Sequence, residues 1–89
     1  MGSDPSYRIE LKPSVVREMT RLQPRDRRRV AGAIDALAIE PRPHGVEKLK
    51  GVDDLWRVRV GDFRVIYTVQ DDRLLILVVR VGNRREIYR

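Results

Sequence analysis

The sequence predicts an α+β domain ordered β-α-α-β-β-β, with a two-helix hairpin packed on one face of a small, largely antiparallel sheet. Three observations predict it. Two consecutive segments open on proline and carry apolar residues at helical spacing. Three later segments alternate or run apolar as strands do, with short turns between them. The length of 89 residues accommodates one core and not two.

The elements follow in order. "YRIEL", Tyr7 to Leu11, alternates apolar and polar residues as a half-buried strand does. Pro13 suits the first turn of a helix. Val15, Met19 and Leu22 then fall at i, i+4 and i+7, on one helical stripe. Pro24 opens a second helix with Asp26 favourably placed in its first turn. Val30, Ile34 and Leu37 repeat the spacing, and Pro41 and Pro43 stop it. "RPHGVEKLKGVDD" reads as loop with a short extended piece near Leu49. Leu55 to Val60 and Phe63 to Gln70 are strands joined by Gly61-Asp62, with glycine first as a type II′ turn requires. Asp71-Asp72 is a weaker turn. Leu74 to Val81 is nearly all apolar, as in a central strand covered on both faces.

Composition narrows the partners. Lys and Arg total 19, of which 16 are arginine, and the net charge is +6. Arginine keeps its charge at any useful pH and grips phosphate with two donors at once. That balance points to RNA, DNA or a strongly acidic protein. There is no cysteine, which excludes disulfides and zinc-thiolate sites and suits a reducing cytoplasm. No apolar run approaches the roughly 18 residues that span a bilayer, and no signal peptide is visible. The opening "MGSDPS" reads as a loose leader.

The hairpin "WRVRVGDFRVIY" carries the sharpest signal. With Gly61-Asp62 as its turn, Arg59 faces Arg64, and Arg57 lies two residues along on the same face. Trp56, Val58, Val60, Phe63, Val65, Tyr67 and Val69 form the opposite, core face. Opposed like charges destabilise a sheet by about a few tenths of a kcal/mol or more. A phosphate lying across the arginines would relieve that strain. A solvated face covered by long side chains is the equally weighted alternative.

From Lys48 to Tyr88 the chain, "KLKGVDDLWRVRVGDFRVIYTVQDDRLLILVVRVGNRREIY", resembles the RelE branch of the RelE/ParE toxin superfamily. The first strand, the two helices and the "KL-G" stretch extend the likeness to about Tyr7. The resemblance implies one RelE-like toxin domain over residues 1–89. It further implies a metal-independent, cofactor-free endoribonuclease that enters the ribosomal A site and cuts the codon there. Attack by a ribose 2′-hydroxyl on the adjacent phosphate would leave a 2′,3′-cyclic phosphate. Matching motifs carry the catalytic positions onto Arg57, Arg59, Arg64, Arg84 and Tyr88, and RNA-binding positions onto Lys48, Lys50 and Arg85. The resemblance also implies a RelB-like antitoxin, the ribosome with its A-site mRNA, operator DNA bound through the antitoxin, and no membrane.

Two departures bear on the chemistry. Relatives carry lysines where this chain has Arg57 and Arg59. Arginine is effectively always protonated, so it serves as a clamp and leaves the general base open, with an rRNA group as one candidate. Asn83 stands where many relatives have histidine before the tail arginine. The expected roles are Arg59 and Arg64 on the scissile phosphate, Arg57 on the 2′-hydroxyl, Arg84 on the phosphate or leaving group, and Tyr88 stacking or donating a proton.

The other charged and aromatic residues have plainer readings. His44, the only histidine, belongs to a surface loop. Arg25 to Arg29 form a mostly solvated helix face, and Trp56 and Phe63 belong to the core. Two other functions fit the same chain: a ParE-like gyrase inhibitor, and a non-catalytic module that binds RNA or blocks the ribosome.

Overall fold

A computed structural model describes residues 6–51 and 54–83. Its elements are β1 (Arg8–Leu11), α1 (Pro13–Thr20), α2 (Pro24–Ala36), β2 (Glu47–Lys48), β3 (Leu55–Val60), β4 (Phe63–Gln70) and β5 (Leu75–Asn83). The strands form one sheet in the order β1-β5-β4-β3-β2. Only β1 and β5 run parallel; the other pairs are antiparallel. The expected α+β fold is therefore present. The short extended piece anticipated near Leu49 is the two-residue β2, a fifth strand at the sheet edge.

Both helices start on proline at their first turn, where the missing N–H leaves no intrahelical bond unmade. Val15 and Met19 from α1 are buried, as are Val30 and Ile34 from α2 and Leu37 at its C-terminal end. They pack on Val60, Val65, Tyr67, Val69, Ile76, Val78 and Val81 in one cluster, with Val58 and Phe63 half-buried beside it. The apolar half of the hairpin is thus the wall that receives the helices. The helix-bearing face holds the core, and the arginine half looks the other way.

The long strand β5 keeps its apolar side in the core through a bulge. Ile66 pairs with Arg80 but Tyr67 pairs with Val78, so Val79 has no register partner on β4. That extra residue reverses the side-chain alternation. Ile76 and Val78 before it and Val81 after it consequently share the core. Beyond Val78 there is no paired residue of β1. The Val81 N–H instead donates to Glu18 Oε1 of α1 at 2.9 Å, which satisfies a buried donor.

The loop leading from α2 to β2 is clasped to the sheet. Tyr67, fully buried, donates its hydroxyl to the Pro41 carbonyl at 2.7 Å. Arg42 pairs with Asp71 at 2.8 Å and lies 5.1 Å above the Trp56 ring. Asp71 also accepts the Tyr7 hydroxyl. Among the described residues no helix is long and apolar enough to cross a membrane.

Candidate nucleic-acid interface

The hairpin that builds the site turns on Gly61, whose φ is +61°. Asp62 has no positive φ, so only the first turn residue needs the left-handed region, as in a type II′ turn. The Arg29 guanidinium lies over this turn; a Cβ on Gly61 would sit 2.9 Å from its Nη1. Both backbone freedom and close approach therefore favour glycine there.

From that turn the register runs Val60 to Phe63, Arg59 to Arg64, Val58 to Val65, Arg57 to Ile66 and Trp56 to Tyr67. Arg59 and Arg64 are directly opposed, as the alternation predicts. On its other flank Arg64 faces Gly82, which presents no side chain. The three arginines differ in setting. Arg59 is exposed. Arg64 is only 3% exposed, with Nη1 donating to the Phe63 carbonyl at 3.3 Å. A solvated cover therefore accounts for Arg59 and not for Arg64.

Arg57 is held differently. Its side chain is 15% exposed and its Nη2 lies 3.0 Å from Glu47 Oε1. Glu47 is its register partner across β2 and β3, so both side chains project from the arginine face. The sequence reading missed this carboxylate. The only local signal was its place two residues before Leu49, in the stretch already marked as extended.

The remaining expected site residues do not all converge. Lys48 follows Glu47 and projects from the opposite face, where it pairs in register with Trp56 and its ammonium lies 5.8 Å from the ring centroid. Trp56 thus packs against the core with a cation on its ring from Arg42 and another from Lys48. Lys50 is exposed, just beyond β2. Arg84, Arg85 and Tyr88 lie outside the described residues, as does the stretch 1–5 of the expected leader. Asn83 ends the described chain in register with Phe63. His44 is exposed. In the basic run, Arg27 is half-buried and donates to the Leu22 carbonyl at 3.1 Å, while Arg25 and Arg28 are solvated.

The arrangement is suited to an anion. Of the opposed pair, Arg59 is open to solvent, while Arg64 is buried behind it with Nη1 on the Phe63 carbonyl, so an anion reaching the ladder meets Arg59 first. A third, Arg57, stands beside them, fixed by a carboxylate of the edge strand β2. None of the three can accept a proton.

Known proteins share this architecture. The family model described as the ParE toxin of the type II toxin–antitoxin system, parDE, matches residues 9–88. A candidate toxin of Methanocaldococcus jannaschii, RelE1, is 29% identical over 93% of this chain and 96% of that protein. In the archaeal RelE–RelB complex from Pyrococcus horikoshii, one chain is 34% identical, with a TM-score of 0.79, over 89% of this chain and 96% of that one. The toxin–antitoxin complex RelBE2 from Mycobacterium tuberculosis contains a chain with the same fold, at 22% identity and a TM-score of 0.78, covering 89% of this chain and 99% of that one.

Proposed function

This chain belongs to the RelE/ParE family of type II toxin–antitoxin toxins, and from that premise we propose that it is a ribosome-dependent endoribonuclease that cuts mRNA in the A site. The observation that carries the proposal is the opposition of Arg59 and Arg64, which disfavours the bare sheet and favours a bound phosphate. The 2′-oxygen attacks phosphorus, the bond to the 5′-oxygen breaks, and the products are a 2′,3′-cyclic phosphate and a 5′-hydroxyl. Arg59 and Arg64 stabilise the charge that grows on the phosphoryl oxygens. Arg57 orients the attacking ribose. Arg84 and Tyr88 are assigned the leaving-group side and base stacking, and Lys50 and Arg85 outer contacts with RNA. Lys48, on the other face, is left with a peripheral contact at most. The ribosome supplies the positioning that a small open surface lacks.

The partners in this reading are the ribosome with its message and an antitoxin resembling those in the RelE–RelB and RelBE2 complexes. The cytoplasm is where all of these meet. Purified ribosomes translating a reporter message, with the new 5′ ends mapped, test the proposal. Cuts positioned by the A-site codon are expected from the wild type, and a loss of about 100-fold or more from Arg64→Ala. Absence of cuts with the wild type overturns the proposal. Inhibition of translation without new ends identifies a blocking module, and inhibition of gyrase supercoiling in place of cutting identifies a gyrase inhibitor.

A further inference from the structure

We propose that Arg29 binds the phosphate next to the scissile one, so that the message crosses the tip of the β3–β4 hairpin between two guanidiniums, an assignment that rests on the RNA-cleaving reading above. That reading puts Arg59 on the scissile phosphate and names no residue at the hairpin tip. Arg29 belongs to α2, in the basic run Arg25 to Arg29 that the sequence reads as a mostly solvated helix face. The structure sets it apart from the rest of that run.

Its guanidinium reaches the arginine hairpin. A Cβ on Gly61 would lie 2.9 Å from Nη1, 3.1 Å from Cζ and 3.3 Å from Nη2. Three distances this close to equal put the flat side of the guanidinium against the turn. Its N–H groups lie in its plane, so they point along the surface and not into the turn backbone. Arg29 is exposed, and its guanidinium makes no ion pair or hydrogen bond among the described residues. Two carboxylates stand nearby in the chain. Asp26 comes three residues earlier on the same helix, a spacing that brings side chains together, and Asp62 follows Gly61 in the turn. Neither pairs with Arg29. Arg25, four residues earlier, adds a like charge at a spacing that destabilises a helix. Helix stability therefore does not select this guanidinium, and its donors stay open to a ligand.

The class of ligand follows from what lies beside it. Arg59, also exposed and without an ion pair among the described residues, comes two residues before Gly61. At about 3.3 Å per residue its backbone stands about 7 Å from the turn, the order of one nucleotide step along an RNA strand. A single small anion occupies one of these cations. A strand with a phosphate at every step occupies both, each guanidinium gripping its own phosphate with two donors. Gly61 has no side chain, which lets Arg29 lie low across the tip and in line with Arg59. Arg29 touches no reacting atom; it contributes affinity and fixes where along the strand the cut falls.

The experiment pairs a change in the protein with a change in the message. Ribosome-bound messages carry a neutral methylphosphonate linkage one nucleotide to the 5′ side of the cut, one nucleotide to its 3′ side, or nowhere. Single-turnover cutting is followed against toxin concentration for wild type, Arg29→Gln, Arg29→Lys and Arg28→Gln. On the all-phosphate message Arg29→Gln is expected to raise the half-saturating concentration about 10- to 100-fold and to keep the saturated rate within about threefold of wild type. One of the two neutral linkages raises that concentration by a similar factor for wild type, and by less than about threefold for Arg29→Gln. Arg29→Lys recovers part of the loss. Arg28→Gln, the same change in net charge at a solvated position, matches wild type. Equal sensitivity of wild type and Arg29→Gln to both neutral linkages puts the contact on ribosomal RNA or nowhere and overturns the assignment. So does an Arg29→Gln value within about threefold of wild type, or an Arg28→Gln loss as large as that of Arg29→Gln. Each of these leaves RNA cleavage standing, whereas a wild type that makes no cuts overturns both.

Discussion

Arg59 and Arg64 face each other across the β3–β4 ladder, one exposed and the other almost fully buried. The pair joins a local disadvantage to a chemical use. If the opposed charges serve a phosphate, relieving them should move stability and activity in opposite directions. Arg59→Thr, with a side chain suited to a strand, should raise unfolding stability by about a few tenths of a kcal/mol and lower RNA cleavage by about 100-fold or more. Denaturant midpoints and cleavage rates on the same preparation measure both. A variant that is less stable yet fully active contradicts the account.

This pair is legible in the sequence, and for physical reasons. Gly61-Asp62 names the turn, and strict alternation on both sides leaves a single register that puts Val58, Val60 and Val65 on the core side together. A slip by one residue would put the arginines in the core. Glu47 was not legible in the same way. Its strand is two residues long and carries no apolar pattern, so its pairing with Arg57 follows from where the chain returns after Pro43. The bulge at Val79 was hidden as well, because a continuous run of apolar residues looks the same with or without a reversal of faces. The apolar run identified a central strand without showing which side chains meet α1.

The bond from the Val81 N–H to Glu18 predicts a local weakness in a variant. Val81 is buried, and removing the carboxylate leaves its donor without that acceptor. Glu18→Ala should lose about 1–3 kcal/mol of stability. Amide exchange at Val81 should accelerate more than at Val65, its partner on β4. Equal acceleration at both amides would mean that the bond contributes nothing local.

The clasp around Asp71 has a pH signature. Hydrogen bonds from Arg42 and then from Tyr7 hold the Asp71 carboxyl below its ordinary value of 3.8. A depressed carboxylate contributes stability that is present above its unfolded value and is lost as pH falls through its folded one. The carboxyl resonance of Asp71 should therefore titrate below pH 3.8, and Asp71→Asn should flatten the acid side of the stability curve. A midpoint at or above 3.8 contradicts the clasp.

Tyr67 gives the opposite sign at the alkaline end. Burial pushes its phenol up to about 12 from 10.0, against a smaller downward pull from Arg42. Its contribution is fully present below pH 10 and is lost as pH rises toward about 12, because the unfolded chain releases the proton first. Tyrosine ultraviolet absorbance should show a late step that Tyr67→Phe removes. The same variant should lose about 0.5–1.5 kcal/mol with the bond to the Pro41 carbonyl. A step that stays at pH 10 would place the ring in water.

The central claim is that the arginine face holds an RNA phosphate for attack by its neighbouring 2′-hydroxyl. The most direct measurement compares two ribosome-bound messages, identical except for a single 2′-deoxynucleotide on the 5′ side of the cut. The account predicts that the wild-type protein cuts the all-ribose message to a 2′,3′-cyclic phosphate end and leaves the deoxy-substituted one intact at that position. Equal cutting of both messages would contradict it.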